Sequence, residues 1–292
     1  MAQRDWIEVM EKFKKKAPGY LETFLESEAG FLPSDEQPSP FSDGSGNFSA
    51  GALEKPRPGS WIPVYKRSDL PQELHELGLM PVRAGQAEFF FYKGEIFFDL
   101  TEQPFAPVDS AAIEPIGHFV PMTLRADFQR NENAYLNKAL ALGYINHFLS
   151  QERLHVLRRT VHNPSGDRLL YGQFGKIKTT RPLLFETSKG RRRLNAGFQF
   201  EIDLVLENRD EIIIFEAKCG ERPMKSFSLL QLYYPLIYLK SILEEPKPIR
   251  TVFMDITAAD GSESYRMMEV VFEEGMFDRW RVIQSNEYMT SN

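Results

Sequence analysis

Cysteine is nearly absent from this chain: Cys219 is the only one in 292 residues. That excludes a disulfide framework and any cysteine-rich zinc site, and it fits a reducing compartment. Long apolar runs are missing too. The charge-free stretch Ser226–Leu239 is too short to span a bilayer and contains Gln231 and Pro235. The opening segment, MAQRDWIEVMEKFKKK, mixes both charge signs and lacks an apolar h-region, so no signal peptide is expected. A soluble, cytoplasmic protein with no membrane partner follows as the expectation. Histidine is scarce, and His118, His147, His155 and His162 have no metal-ligand spacing. There is no internal repeat. An overall positive charge is also lacking; the net charge of −6 argues at first against a polyanionic partner.

What is present changes that view. With 42% hydrophobic and 26% charged residues, the chain can bury a substantial core and is not globally disordered. Its charge is unevenly placed. From Arg153 to Arg193 there are eleven basic residues, including Lys176, Lys178, Arg181, Arg191, Arg192 and Arg193, against Asp167 and Glu186. A basic strip on an acidic body can bind a phosphate backbone while the molecule stays soluble. Lys176, Lys178, Arg181 and Arg191 to Arg193 are the candidate DNA contacts; such residues position a duplex without reading it.

The pattern divides near residue 125. In the first part, Asp5–Lys16 has helical spacing, stopped by Pro18-Gly19, and a short helix is expected over Tyr20–Ser27. Pro33–Pro63 holds six Pro, four Gly and six Ser and reads as a long irregular segment. Ser68 is placed to cap a helix through Leu77, and AEFFFYKGEIFFDL (87–100) reads as a β-hairpin turning at Lys93-Gly94. In the second part, Asn131–Leu149 reads as a long helix mildly interrupted at Gly143. Short strands are expected at Leu169–Tyr171 and Leu183–Phe185, and long ones at Phe198–Glu207 and Glu211–Lys218. A helix over Ser226–Leu243, kinked by Pro235, and strands at Thr251–Ile256 and Tyr265–Phe272 complete it. The expectation is α/β: a mixed sheet flanked by helices in 126–292, with an α+β region in 1–125.

Chemistry concentrates in FQFEIDLVLENRDEIIIFEAKCG. Glu216 and Lys218 stand two apart in a strand and share a sheet face. Asp203, in the preceding strand, joins them if residues i and j pair with i + j equal to 417 or 419. The 419 register follows from a two-residue turn at Arg209-Asp210 and sets Asp203 across from Glu216. A register of 418 turns Asp203 to the other face unless a bulge intervenes. Two close carboxylates repel unless a cation neutralises them, and a hard divalent ion such as Mg²⁺ does so while keeping waters for exchange with phosphate oxygens. Lys218 can position or deprotonate the attacking water and offset charge on phosphorus. The Ala217 carbonyl lies between the two side chains as a further ligand. Metal-dependent phosphodiester hydrolysis is the chemistry this set suits.

DLVLENRDEIIIFEAK followed by QLYYP resembles the PD-(D/E)XK nuclease superfamily, and within it the type II restriction endonucleases. The resemblance covers about half the chain and leaves residues 1–125 unexplained. It implies a restriction-endonuclease-like core, with Asp203 and Glu216 as Mg²⁺ ligands and Lys218 as the catalytic lysine. Glu132, in NENAYLNKAL, resembles the family's acidic helix residue, and Gln231 its accessory glutamine. Two departures stand out: Ile202 rather than proline precedes Asp203, and Pro235 stands four residues after Gln231, where relatives often have Tyr. The implied activity is sequence-specific cleavage of double-stranded DNA leaving 5′-phosphates. A homodimer and a cognate DNA methyltransferase acting as functional partner go with it, and residues 1–125 serve specificity or dimerisation. The rival readings are a structure-specific or repair nuclease of the same fold, and a DNA-binding regulator without catalysis.

Overall fold

The computed structural model describes residues 10–11, 14–15, 18–32, 48–49, 67–85, 88–115, 131–150, 170–172, 175–208, 210–259 and 261–290. His118, His155, His162 and the basic residues Arg153 to Arg168 lie outside them, as does most of Pro33–Pro63. Of the expected first helix, Met10, Glu11, Lys14 and Lys15 are described and helical.

The first part supplies α1 (Tyr20–Glu26), β1 (Phe31–Leu32), β2 (Phe48–Ser49), α2 (Gln72–Glu76), β3 (Leu79–Arg83), β4 (Glu88–Lys93), β5 (Phe97–Asp99) and β6 (Ala106–Pro107). Two helices follow, α3 (Glu132–Ala141) and α4 (Tyr144–Ser150). Next come β7 (Leu170–Gly172), β8 (Gly175–Lys178), β9 (Leu183–Thr187), β10 (Gly190–Leu194), β11 (Gln199–Ile202), β12 (Leu204–Glu207), β13 (Ile212–Gly220) and β14 (Ser226–Ser228). The last elements are α5 (Leu230–Ile242), β15 (Ile249–Ala259), β16 (Ser262–Phe272) and β17 (Trp280–Thr290).

The apolar run Ile212–Phe215 builds an interior strand of a seven-stranded sheet ordered β6-β17-β16-β15-β13-β12-β7. β13 and β15 are parallel, with α5 in the connection between them; β12, β16 and β7 join antiparallel, and β6 lies parallel to β17. The mixed α/β sheet is as expected. Along β13 the side chains alternate between two cores. Ile213, Phe215 and Ala217 pack with α3 and α4 through Tyr135, Leu136, Ile145 and Phe148. Ile212 and Ile214 face the other way, into a cluster with Leu232 and Tyr233 of α5. Phe31, Phe89, Phe90 and Phe97 belong to that second cluster, so the regions on either side of residue 125 pack through one core.

Several local expectations change. The segment 87–100 is not a hairpin: β4 pairs with β1, β2 and β3, whereas β5 pairs with β14. The Glu95 carboxylate accepts bonds from the Ile96 and Phe97 N–H groups at 3.0 and 2.8 Å, turning the chain away after Gly94. The helix expected from Ser68 is a 3-10 turn, Arg67–Asp69, followed by α2 starting just after Pro71. The long helix 131–149 is two helices, because Gly143 takes φ +79°. Ser226–Ser228 is strand rather than helix, and β17 forms where the sequence pattern predicts no element.

Candidate active site

The strand expected over 198–207 breaks at Asp203, between β11 and β12. Leu204 pairs with Phe215, Val205 with Ile214 and Leu206 with Ile213, which is the 419 register. Asn208 fixes it: its N–H donates to the Glu211 carbonyl at 3.0 Å, and its Oδ1 accepts from Asp210 and Glu211 N–H at 2.7 and 2.8 Å. Continuing that register brings Asp203 level with Glu216. Where the ladder stops, the Asp203 carboxylate takes over, accepting the Ala217 N–H at 2.8 Å.

Glu216 is 4% exposed, and its Oε1 accepts from Lys218 Nζ and from Gln231 Nε2, both at 2.6 Å. Lys218 Nζ also donates to the Ala217 carbonyl at 2.8 Å and lies 3.4 Å from Glu132 Oε1. Glu132 opens α3, where Asn131 Oδ1 caps the helix by accepting the Ala134 N–H, and Gln231 stands in the first turn of α5. Thus two helix starts, the strand β13 and the break between β11 and β12 carry the five side chains. Glu132, Asp203, Glu216, Lys218 and Gln231 all line one cavity of about 510 Å³.

Three carboxylates face one ammonium, so they cannot all ionise cheaply. Burial pushes Glu216 up to about 8, and the Asp203 and Glu132 charges add to this while Lys218 opposes it. Glu132 is raised too, chiefly by burial. For Lys218, burial acts downward, but Glu216 and Glu132 outweigh it and the pKa rises. The surroundings therefore favour the cationic form of Lys218 and the protonated form of the deepest carboxyl, Glu216.

Among the described residues, no three His, Cys, Asp or Glu side chains converge as a ready-made metal cage. The donor set nevertheless fits Mg²⁺: two carboxylates and a main-chain carbonyl are hard oxygens, and this ion keeps several waters. The Lys218 ammonium holds two of those oxygens, Glu216 Oε1 and Ala217 O.

The basic residues divide. Lys176 is exposed and lines the cavity, and Lys178 is exposed two residues further along β8. Arg181 donates to the Ser241 carbonyl at 2.9 Å, ten residues along α5 from Gln231, or about 15 Å of helix. It tethers the far end of that helix and does not reach the site. Arg191 and Arg193 are exposed on β10 but do not line the cavity. Arg192 is a correction: strand alternation turns it inward, where it is 5% exposed with its guanidinium 5.6 Å from the Phe31 ring centre, so it is no phosphate contact. Cys219 is partly buried against the α3–α4 core, and burial raises its thiol pKa.

The sequence reading missed Arg83, Phe198, Phe200 and Ser228, which also line the cavity. Arg83 carries no local signal, since it stands on β3, far away in sequence. The FQF alternation just before Asp203 was a usable signal for the two rings.

A family described as a domain of unknown function (DUF6997) matches residues 100–289, nearly two thirds of the sequence. The chain belongs to this family. No curated protein and no solved structure matches it. The DUF6997 region contains Glu132, Asp203, Glu216, Lys218 and Gln231, along with every strand from β6 to β17. Arg83, at the end of β3, and the aromatic strand β4 lie before it.

Proposed function

We propose that this DUF6997 protein is a Mg²⁺-dependent deoxyribonuclease hydrolysing phosphodiester bonds, with the restriction-endonuclease-like core that its motif resembles. The observation that carries this reading is the 419 register, which assembles Asp203, Glu216 and Lys218 with Glu132 and Gln231 on one cavity. When bound, Mg²⁺ would supply Lewis acidity at a phosphoryl oxygen and a lowered pKa for water. Asp203, Glu216 and the Ala217 carbonyl are the residues that would hold it. Lys218, once it releases Glu216 Oε1 and Ala217 O, orients the attacking water and offsets charge on phosphorus. Gln231 fixes the orientation of the Glu216 carboxylate, and Glu132 retains the Lys218 ammonium in the site.

In its fuller form the proposal is a type II restriction endonuclease, cutting double-stranded DNA at a short specific sequence and leaving 5′-phosphates. Cutting both strands of a symmetric site requires two active sites, hence a homodimer. A cognate DNA methyltransferase would protect the host's own sites, and the setting would be the cytoplasm. For the described residues, no helix is long and apolar enough to cross a membrane.

The test is digestion of a long defined duplex with Mg²⁺ or EDTA, using wild type and Lys218→Ala. Discrete Mg²⁺-dependent bands, lost in the variant, are the expected outcome. A smear points to a structure-specific or repair nuclease. Salt-sensitive binding without cleavage in either protein overturns the catalytic reading in favour of a DNA-binding regulator.

A further inference from the structure

Part of the lining of the cavity is aromatic. Phe198 and Phe200 lie nearly parallel, with ring centres 6.0 Å apart, and Tyr234 meets Phe198 edge-on at 4.6 Å. Phe198 is 1% and Tyr234 8% exposed, whereas Phe200 is only half-buried and offers a ring to whatever enters. Ser228 adds an independent sign. It lines the same cavity and is 1% exposed, and its hydroxyl has no hydrogen-bond partner among the described residues. A buried hydroxyl without a partner is costly, so the site is complete only with a polar ligand edge against it. Arg83 and Lys176 bring positive charge to the lining, with Glu201 paired across from Lys176.

Rings, an unsatisfied hydroxyl and cations beside a phosphodiester-cleaving cluster match the parts of a nucleotide. A base inside a duplex has both faces covered by its neighbours and cannot reach such a wall; a base that has left the stack can. The volume, about 510 Å³, lies within the range of small-ligand sites, roughly 300–1,000 Å³. Resting on the nuclease reading, we propose that the substrate is DNA with an unstacked nucleotide beside the scissile phosphate. Its base packs on Phe200, its polar edge meets Ser228, and its flanking phosphates lie along Arg83 and Lys176. The nucleotide comes either from single-stranded DNA or from a duplex that extrudes one base.

Three versions of one oligonucleotide, built on a sequence cut in the long-duplex digest, separate these sources: single-stranded, fully paired, and paired except for one mismatch at the cut position. Initial cleavage rates in Mg²⁺ are measured for wild type, Phe200→Ala, Phe200→Trp and Ser228→Ala. Preference for the single strand identifies that source, and faster cutting of the mismatched than of the paired duplex identifies extrusion. In either case Phe200→Ala loses on the order of tenfold, Phe200→Trp retains most activity, and Ser228→Ala loses about fivefold. Ser228→Ala removes a single oxygen and guards against a folding defect at Phe200. Equal cutting of all three DNAs, with Phe200→Ala and Ser228→Ala unimpaired, overturns the unstacked nucleotide alone. Failure to cut any of them overturns the nuclease reading and takes this inference with it.

Discussion

Replacing Glu216 by Gln should stabilise the metal-free protein, and increasingly so as pH rises. The side chain is 4% exposed and its carboxyl is pushed up to about 8 by burial, with Asp203 and Glu132 adding to the shift. A carboxyl raised in the folded state contributes stability that is complete below its unfolded value and lost as pH climbs through the folded one. Each pH unit between the ordinary 4.5 and about 8 costs about 1.4 kcal/mol, so full ionisation costs about 4–5 kcal/mol. Glutamine keeps an acceptor for Lys218 and Gln231 but never ionises. Urea unfolding of both proteins in EDTA, at pH 4.5, 7 and 9, measures the difference directly. Near pH 4.5 the two should agree within about 1 kcal/mol, and by pH 9 Glu216→Gln should lead by about 4 kcal/mol. Groups that titrate identically in both proteins cancel. A difference that stays flat with pH, or a variant that weakens at pH 9, would refute the reasoning. The carboxylate would then be ionised at neutral pH and held by Lys218 and Gln231.

Two further outcomes follow. Because Glu216 holds a proton below about 8, Mg²⁺ should bind more tightly as pH rises to that value, releasing about one proton at pH 7. Calorimetry in two buffers of different ionisation heat measures the release, and a value near zero sinks the assignment. Gly143→Ala should destabilise by about 1–3 kcal/mol in urea. Its φ of +79° disfavours a side chain, and an added Cβ would sit 2.6 Å from the Glu114 carbonyl; an unchanged midpoint would show that the α3–α4 junction tolerates the ordinary backbone.

The site was legible because its signals are local. A two-residue turn and the period-two alternation of a strand are enough to set Asp203 opposite Glu216, and an Asn at the turn secures them. Burial of Arg192 was also within reach, since Arg191, Arg192 and Arg193 alternate on a strand whose next inward residue is Leu194. Other features depend on partners far away in sequence. β5 leaves β4 because β14 supplies its ladder from residues 226–228, and nothing in FFFYKGEIFF signals that competition. Arg83 enters the cavity only because β3 packs near β11, where its NH1 donates to the Gln199 carbonyl at 3.4 Å.

The shared aromatic core bears on what counts as a unit of inheritance. Family similarity begins at residue 100, yet Phe90 touches Phe185, Tyr92 touches Phe277 and Phe98 touches Trp280 across that line. A gene fragment cut at this boundary would encode the five polar site residues and leave behind the rings that seal one side of their sheet. Its product would present a broad apolar face to water and tend to aggregate. Relatives that carry the matched segment with a different leading region must then cover that face with other residues, so the leading region is the natural place to look for divergence in substrate choice.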